Sequence, residues 1–209
     1  MRSICLRITL LSAAFAILIS IPAAHAQTDV GLSFYGAFGG TTNANGTIQS
    51  PANSAGGMIE VRHISNPIVG YEATYSYNRD NQTYRPAAGV ATCPVGVTCG
   101  QPVSVSASAH EISGDWIASV HLAMLRPFAL AGVGVLFNQP SGSQPNTNSE
   151  TKPTFIYGAG LDWAVFPHIG LRFQYRGNLY KAPDLTKLYT STDAFTHTSE
   201  PMIGAYIRF

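Results

Sequence analysis

The strongest constraint on this chain is a rhythm of connections. Eight segments alternate apolar with less apolar residues at a period of two, and the links between them run long, short, long, short, long, short, long. A period of two is the signature of a strand with one face in an apolar environment. One face of the first segment carries Val30, Leu32, Phe34 and Phe38, and the second carries Ile59 and Val61. Val69, Tyr71, Ala73, Tyr75 and Tyr77 make the clearest stripe. His110, Ile112, Trp116 and Ala118 follow, then Ala129 to Phe137 in alternate positions. The last three stripes are Phe155 to Val165, Ile169 to Tyr175, and Ile203, Ala205, Ile207 and Phe209. Polar, Gly- and Pro-rich stretches at 41–54, 80–102, 138–153 and 181–194 read as long loops. Ser65-Asn66-Pro67, Arg126-Pro127 and Pro167-His168 mark the short links.

A soluble sandwich has no need of strictly alternating loop lengths, whereas a closed barrel crossing a membrane has long loops on one side and short turns on the other. The segments suit the ~9–11 residues of a tilted spanning strand. Lipid offers the backbone no hydrogen bonds, so closure is required to leave no strand edge unpaired. The soluble alternative, a lipocalin-like barrel, turns its apolar faces inward. Charge decides between them. Only 11% of the 209 residues are charged, against roughly 25% in ordinary soluble domains. Such a chain lacks the charge and the lysines of a water-exposed outer wall. The expected fold is therefore all-β: an eight-stranded antiparallel up-and-down transmembrane barrel over residues 27–209.

The less apolar faces hold Glu60, Arg62, Glu72, Glu111, Asp115, Asp162, Arg172, Arg176 and Arg208. Both signs are present, so these residues are expected to form an interior charge network. In barrels of this size side chains fill the interior, which favours a structural plug; the alternative is a narrow pore for small solutes.

The amino-terminus reads as a secretory signal over residues 1–26. Arg2 and Arg7 precede an apolar core at 8–21, and Ala24-His25-Ala26 supplies a cleavage pattern before Gln27. The apolar core is short for a spanning helix; an uncleaved anchor is the alternative. Cys5 falls within that leader. Cys93 and Cys99 remain, close together in a Gly/Pro-rich stretch of an exported chain, where a loop-stapling disulfide is expected; free thiols are the alternative. A metal site would want further ligands nearby, and no cofactor or metal is expected. With the leader removed, acidic and basic residues nearly balance, so no basic stripe is left for nucleic acid.

In its pattern, the chain resembles the OmpA/OmpX-like (opacity-protein-like) outer-membrane β-barrel proteins. The resemblance is carried by 126–135 (Arg-Pro-Phe-Ala-Leu-Ala-Gly-Val-Gly-Val), by 158–176, and by the carboxy-terminal strand. It covers the barrel domain only; the periplasmic peptidoglycan-binding domain of OmpA is not matched. It implies a cell outer membrane of Gram-negative type, outer-membrane lipid around the barrel, and assembly by the barrel assembly machinery. Gly204, Ile207 and Phe209 fit the carboxy-terminal assembly signal, while Met202 departs from the polar residue at its first position.

His197, Ser199 and Glu200 sit together near the last strand, as in barrel-embedded serine hydrolases that act on lipids. On a regular strand His197 and Ser199 share a face and Glu200 takes the other, so a catalytic triad is not expected. His63, His110, His121 and His168 have no ligand spacing. Tyr75, Tyr77, Trp116, Trp163, Phe166 and Tyr175 read as interfacial aromatics. The expected role is structural or adhesive, a surface-exposed scaffold presenting four loops, with no enzymatic activity. An extracellular ligand would meet the loops, the stapled 80–102 loop first.

Overall fold

The computed structural model describes residues 27–88, 101–141 and 146–209. Its strands are β1 (Gln27–Gly39), β2 (Thr42–Ala44), β3 (Thr47–Pro51), β4 (Ser54–Ile64), β5 (Val69–Pro86), β6 (Val103–Ser119), β7 (Leu125–Pro140), β8 (Glu150–Phe166), β9 (Ile169–Lys181) and β10 (Phe195–Arg208). Every pairing is antiparallel. The eight long strands run in the order β5-β4-β1-β10-β9-β8-β7-β6, and β6 returns to β5 to close the barrel. The first strand pairs with the last, Val30 opposite Ile207 and Phe34 opposite Ile203.

The barrel is inside out by the standards of a protein in water. Leu32, Phe34, Trp116 and Val133 are 55%, 68%, 70% and 67% exposed, while Arg62, Arg176 and Glu60 are fully buried. In water an apolar surface of this extent would associate; around a barrel it suits hydrocarbon. The wide apolar face is thus the outer one, and the soluble alternative is excluded.

Three of the expected long loops are partly strand; in 138–153, residues 138–140 belong to β7 and 150–153 to β8. The 41–54 stretch contains the β2–β3 hairpin, closed by Asn45-Gly46 with φ of 52° and 75°. Two consecutive positive φ values make the tight turn that Asn-Gly favours. The hairpin adds to the outer half of β5, Thr47 opposite Pro86. The 80–102 stretch continues β5 to Pro86 and starts β6 at Val103, with unbroken pairing from Val69↔Ala118 to Tyr84↔Val103. Arg126-Pro127, read as a link, lies inside β7; the turn is at 120–124.

Pro201 has no N–H to give, and the β1–β10 pairing lapses there between Tyr35↔Met202 and Phe38↔Ser199. Gly204 is fixed by sterics: a Cβ there would meet the Ser33 hydroxyl at 2.0 Å.

Candidate functional site

Alternation points one side chain in two into the lumen, so the charges meet there. Asp162 on β8 is the hub. It accepts from Arg172 Nε at 2.8 Å, Arg62 Nη1 at 2.9 Å and Arg126 Nη2 at 2.7 Å. Arg62 on β4 also donates to Glu72 at 2.8 Å. Arg172 on β9 reaches Glu72 and Glu60 at 3.1 and 3.2 Å. Arg126 pairs with Asp29 as well. β4 and β8 lie on opposite sides of the ring, as do β9 and β5. The Arg62–Asp162 and Arg172–Glu72 pairs are therefore struts across the lumen, whereas Arg62–Glu72, Arg172–Asp162 and Arg126–Asp162 join neighbouring strands. Phe128 packs under Arg62, with the guanidinium 4.1 Å from the ring centroid. Charges taken out of water are stabilised only when paired and hydrogen-bonded, and here opposing guanidiniums and carboxylates do both.

Arg176 forms a second tier with Glu111 at 3.0 Å. Asn178 Nδ2 donates to both Glu111 Oε2 and Glu200 Oε1, each at 3.1 Å.

The nine expected interior charges do not form one network. Glu60, Arg62, Glu72, Asp162 and Arg172 join the lower tier, and Glu111 and Arg176 the upper. Asp115 is buried but bonds only to Ser113 and Thr74 hydroxyls, with no ion pair among the described residues. Arg208 sits at the rim where the chain ends, partly exposed, 3.5 Å from Asp29 and over the Tyr206 ring. Asp29, Arg126 and Glu200 belong to the interior and were not foreseen. Asp29 and Arg126 lie just beyond the apolar stripes used to find β1 and β7, and extending the alternation would have found them.

The outer mouth is capped by the chain itself. The 182–192 stretch folds inward between the strand extensions. Leu185 is fully buried against Tyr84, Val105, Ala107 and Tyr189. The Pro183 carbonyl accepts from Gln49 Nε2 at 2.8 Å and the Tyr84 hydroxyl at 2.7 Å. Thr42 and Thr192 hydroxyls bond at 3.1 Å, and Asn45 donates to the Ser191 carbonyl at 3.0 Å. Asp184 N–H donates to Glu150, and burial together with that neighbouring carboxylate pushes the Asp184 carboxyl up. Between plug and cap lies a polar cavity of about 30 Å3.

The His197, Ser199 and Glu200 side chains part as the alternation predicts. His197 bonds to the Tyr157 hydroxyl at 2.8 Å and Ser199 to that of Tyr175 at 2.9 Å, both on the outer wall. Glu200 turns inward, so the three are not a triad. His110 bonds to Tyr75 at 2.8 Å on the same outer belt. Among the described residues no group of His, Cys, Asp and Glu converges as a metal cluster. Cys93, Cys99 and the leader lie outside the described residues.

The family model for the outer membrane protein β-barrel domain matches residues 11–199. The chain belongs to that family. The outer membrane β-barrel fold is also what solved structures return. OprG of Pseudomonas aeruginosa aligns at 9% identity and TM-score 0.61, covering 90% of this chain and 97% of that one. Ail of Yersinia pestis aligns at 14% and 0.53, covering 89% and 100%. Neisserial surface protein A aligns at 14% and 0.54, covering 90% and 99%. At these identities the likeness to other outer membrane barrels is one of fold. A comparison with curated proteins gives no match.

Proposed function

We propose that this barrel is a closed scaffold. It is exported by the 1–26 leader, spans the outer membrane of a Gram-negative-type bacterium, and presents a folded extracellular platform to a ligand. The observation that carries the reading is the cross-lumen plug: Arg62, Arg172 and Arg176 are buried and paired at the centre of the barrel. A pore would need those struts to part. The platform is one consolidated surface, because the β2–β3 hairpin and the 182–192 cap hold each other. A disulfide between Cys93 and Cys99 would staple the 80–102 loop and lower its ordering cost on binding, which makes that loop the first candidate contact for a ligand. One crystallised fold neighbour, Ail, was solved in complex with the heparin analogue sucrose octasulfate; an adhesive role for the present platform is the corresponding proposal. Gly204, Ile207 and Phe209 serve as the assembly signal, and the reading assigns no enzymatic step.

Planar-bilayer recording of the purified, refolded barrel tests it. The scaffold reading expects no sustained conductance. A stable open state in the wild-type protein would replace it with the narrow-pore reading.

A further inference from the structure

We propose that the seam between β1 and β10 holds one acyl chain of an outer-leaflet glycolipid, a chain that carries a hydroxyl or amide N–H near its head. The register sets Pro201 opposite Gly36, where the ladder lapses between Tyr35↔Met202 and Phe38↔Ser199. Neither residue puts a long side chain on the outer wall. An open groove of about 410 Å3 lies there, lined by Gly36 and Pro201 and flanked by Phe34 and Ile203. Ala55, paired with Gly36 on β4, continues the row of small residues. Phe38 leans over Gly36 from above, its ring 3.0 Å from where a Cβ would stand, and forms the upper wall of the groove.

A backbone carbonyl without a donor gives the chemistry of the ligand. In an antiparallel ladder, alternate residues of a strand hydrogen bond to the same neighbour. The Thr28 carbonyl accepts from Phe209 N–H, and Gly40 N–H donates to the His197 carbonyl. The even-numbered positions of this stretch therefore face β10. Gly36 is one of them, and Pro201 opposite has no N–H to give. The Gly36 carbonyl thus receives no hydrogen bond across the seam. Hydrocarbon supplies none either, and an unsatisfied backbone group in lipid is costly. A ligand that fits this groove brings a donor as well as a chain.

The height of the groove selects the leaflet. The Tyr175–Ser199 hydroxyl pair, at 2.9 Å, lies on the outer belt beside Tyr157 and His197. Pro201 is two residues below Ser199, about 7 Å along the strand, with Tyr175 as its neighbour on β9. A lipid head therefore meets hydroxyls, and the first atoms of its chain meet Gly36. At that depth an amide-linked or 3-hydroxylated acyl chain presents a donor, and an ester-linked phospholipid chain does not. Phe34 and Ile203, 68% and 53% exposed, flank the rest of the chain. The groove is continuous with the lipid-facing wall, so the site is independent of any platform ligand and of conductance through the lumen.

The test is native mass spectrometry of the full mature chain, refolded in detergent with either lipid A, whose chains are amide-linked and 3-hydroxylated, or dimyristoyl phosphatidylglycerol. The wild type and Val133→Ala, a control on the opposite wall, are expected to retain one lipid A in preference to the phospholipid. Pro201→Ala restores the missing N–H and leaves the groove open; it should lower that preference by about fivefold. Gly36→Leu fills the groove and should abolish retention. Should Gly36→Leu fail to fold, Pro201→Ala decides alone. Equal retention of both lipids by the wild type, an unchanged preference in Pro201→Ala, or a detergent-stable dimer dispersed by Gly36→Leu would each overturn the site.

Discussion

The lower and upper halves of β5 and β6 are built on opposite rules. In the lower half the outward face of β6 runs Ile112, Gly114, Trp116, Ala118 and the inward face Glu111, Ser113, Asp115. In the upper half of the same strand the outward face runs Ser104, Ser106, Ser108 and the inward face Val105, Ala107, Ala109. On β5 the outer face changes with it, from Tyr71, Ala73 and Tyr75 to Arg79, Asn81 and Arg85, while the inward face stays polar through Asp80 and Gln82 and turns aromatic at Tyr84. The backbone ladder does not notice the change. What changes is the solvent on the outer wall: hydrocarbon below, water above. The Tyr75–His110 pair sits at the crossing, where amphipathic rings prefer to lie. One continuous sheet thus serves a membrane barrel with a polar plug and a water-exposed barrel with an apolar core.

The sharpest way to break this contrast is to remove the hub of the lower half. Asp162→Ala takes one carboxylate partner from each of Arg62, Arg126 and Arg172 in the lumen and is expected to cost about 3–5 kcal/mol in a urea unfolding titration. Glu150→Gln, which loses the 2.5 Å pair with Lys152 in the upper half, should cost less than about 1 kcal/mol by the same titration. The outer wall gives the next effect. Trp116→Arg places a charge against lipid and should lose about 2–4 kcal/mol, whereas Ser106→Arg, ten positions along the same face, should be close to neutral when both are measured by folding into vesicles. Leu185→Ala attacks the upper core and should cost about 2–3 kcal/mol, read as faster proteolysis of 182–192 with the lower barrel intact. The smallest effect concerns Asp184. Its folded carboxyl titrates above the ordinary value, so the cap gains from protonation in acid and loses that gain as pH rises through the folded value. Protease protection of the cap should fall as the pH climbs from the ordinary aspartate value through the raised folded one, and Asp184→Asn should remove that part of the fall.

The lower half was legible in the sequence because lipid enforces a clean alternation. Stripes such as Val69 to Tyr77 and Phe155 to Val165 stand out, and the charges opposite them follow. The upper half was harder to read for a physical reason. Where the outer wall meets water, Arg79, Asn81 and Thr83 alternate with Asp80, Gln82 and Tyr84, and no apolar stripe survives to mark a strand. The Asn45-Gly46 turn was a readable hairpin signal hidden in a polar stretch. The 182–192 cap had no local signal, since Leu185 and Tyr189 are buried by partners nearly a hundred positions away. The strut partners Arg62 and Asp162 could be placed on inward faces, but their meeting depends on barrel closure.

The inversion itself is best tested by single cysteines along the outward face of β6, in a Cys93→Ser, Cys99→Ser background. Substitutions at Ser104, Ser106, Ser108, Ile112 and Trp116 are exposed in intact cells to a membrane-impermeant maleimide. The account predicts labelling at 104, 106 and 108 and none at 112 and 116. Labelling at Trp116, or protection at Ser104 and Ser106, would contradict a membrane boundary near His110.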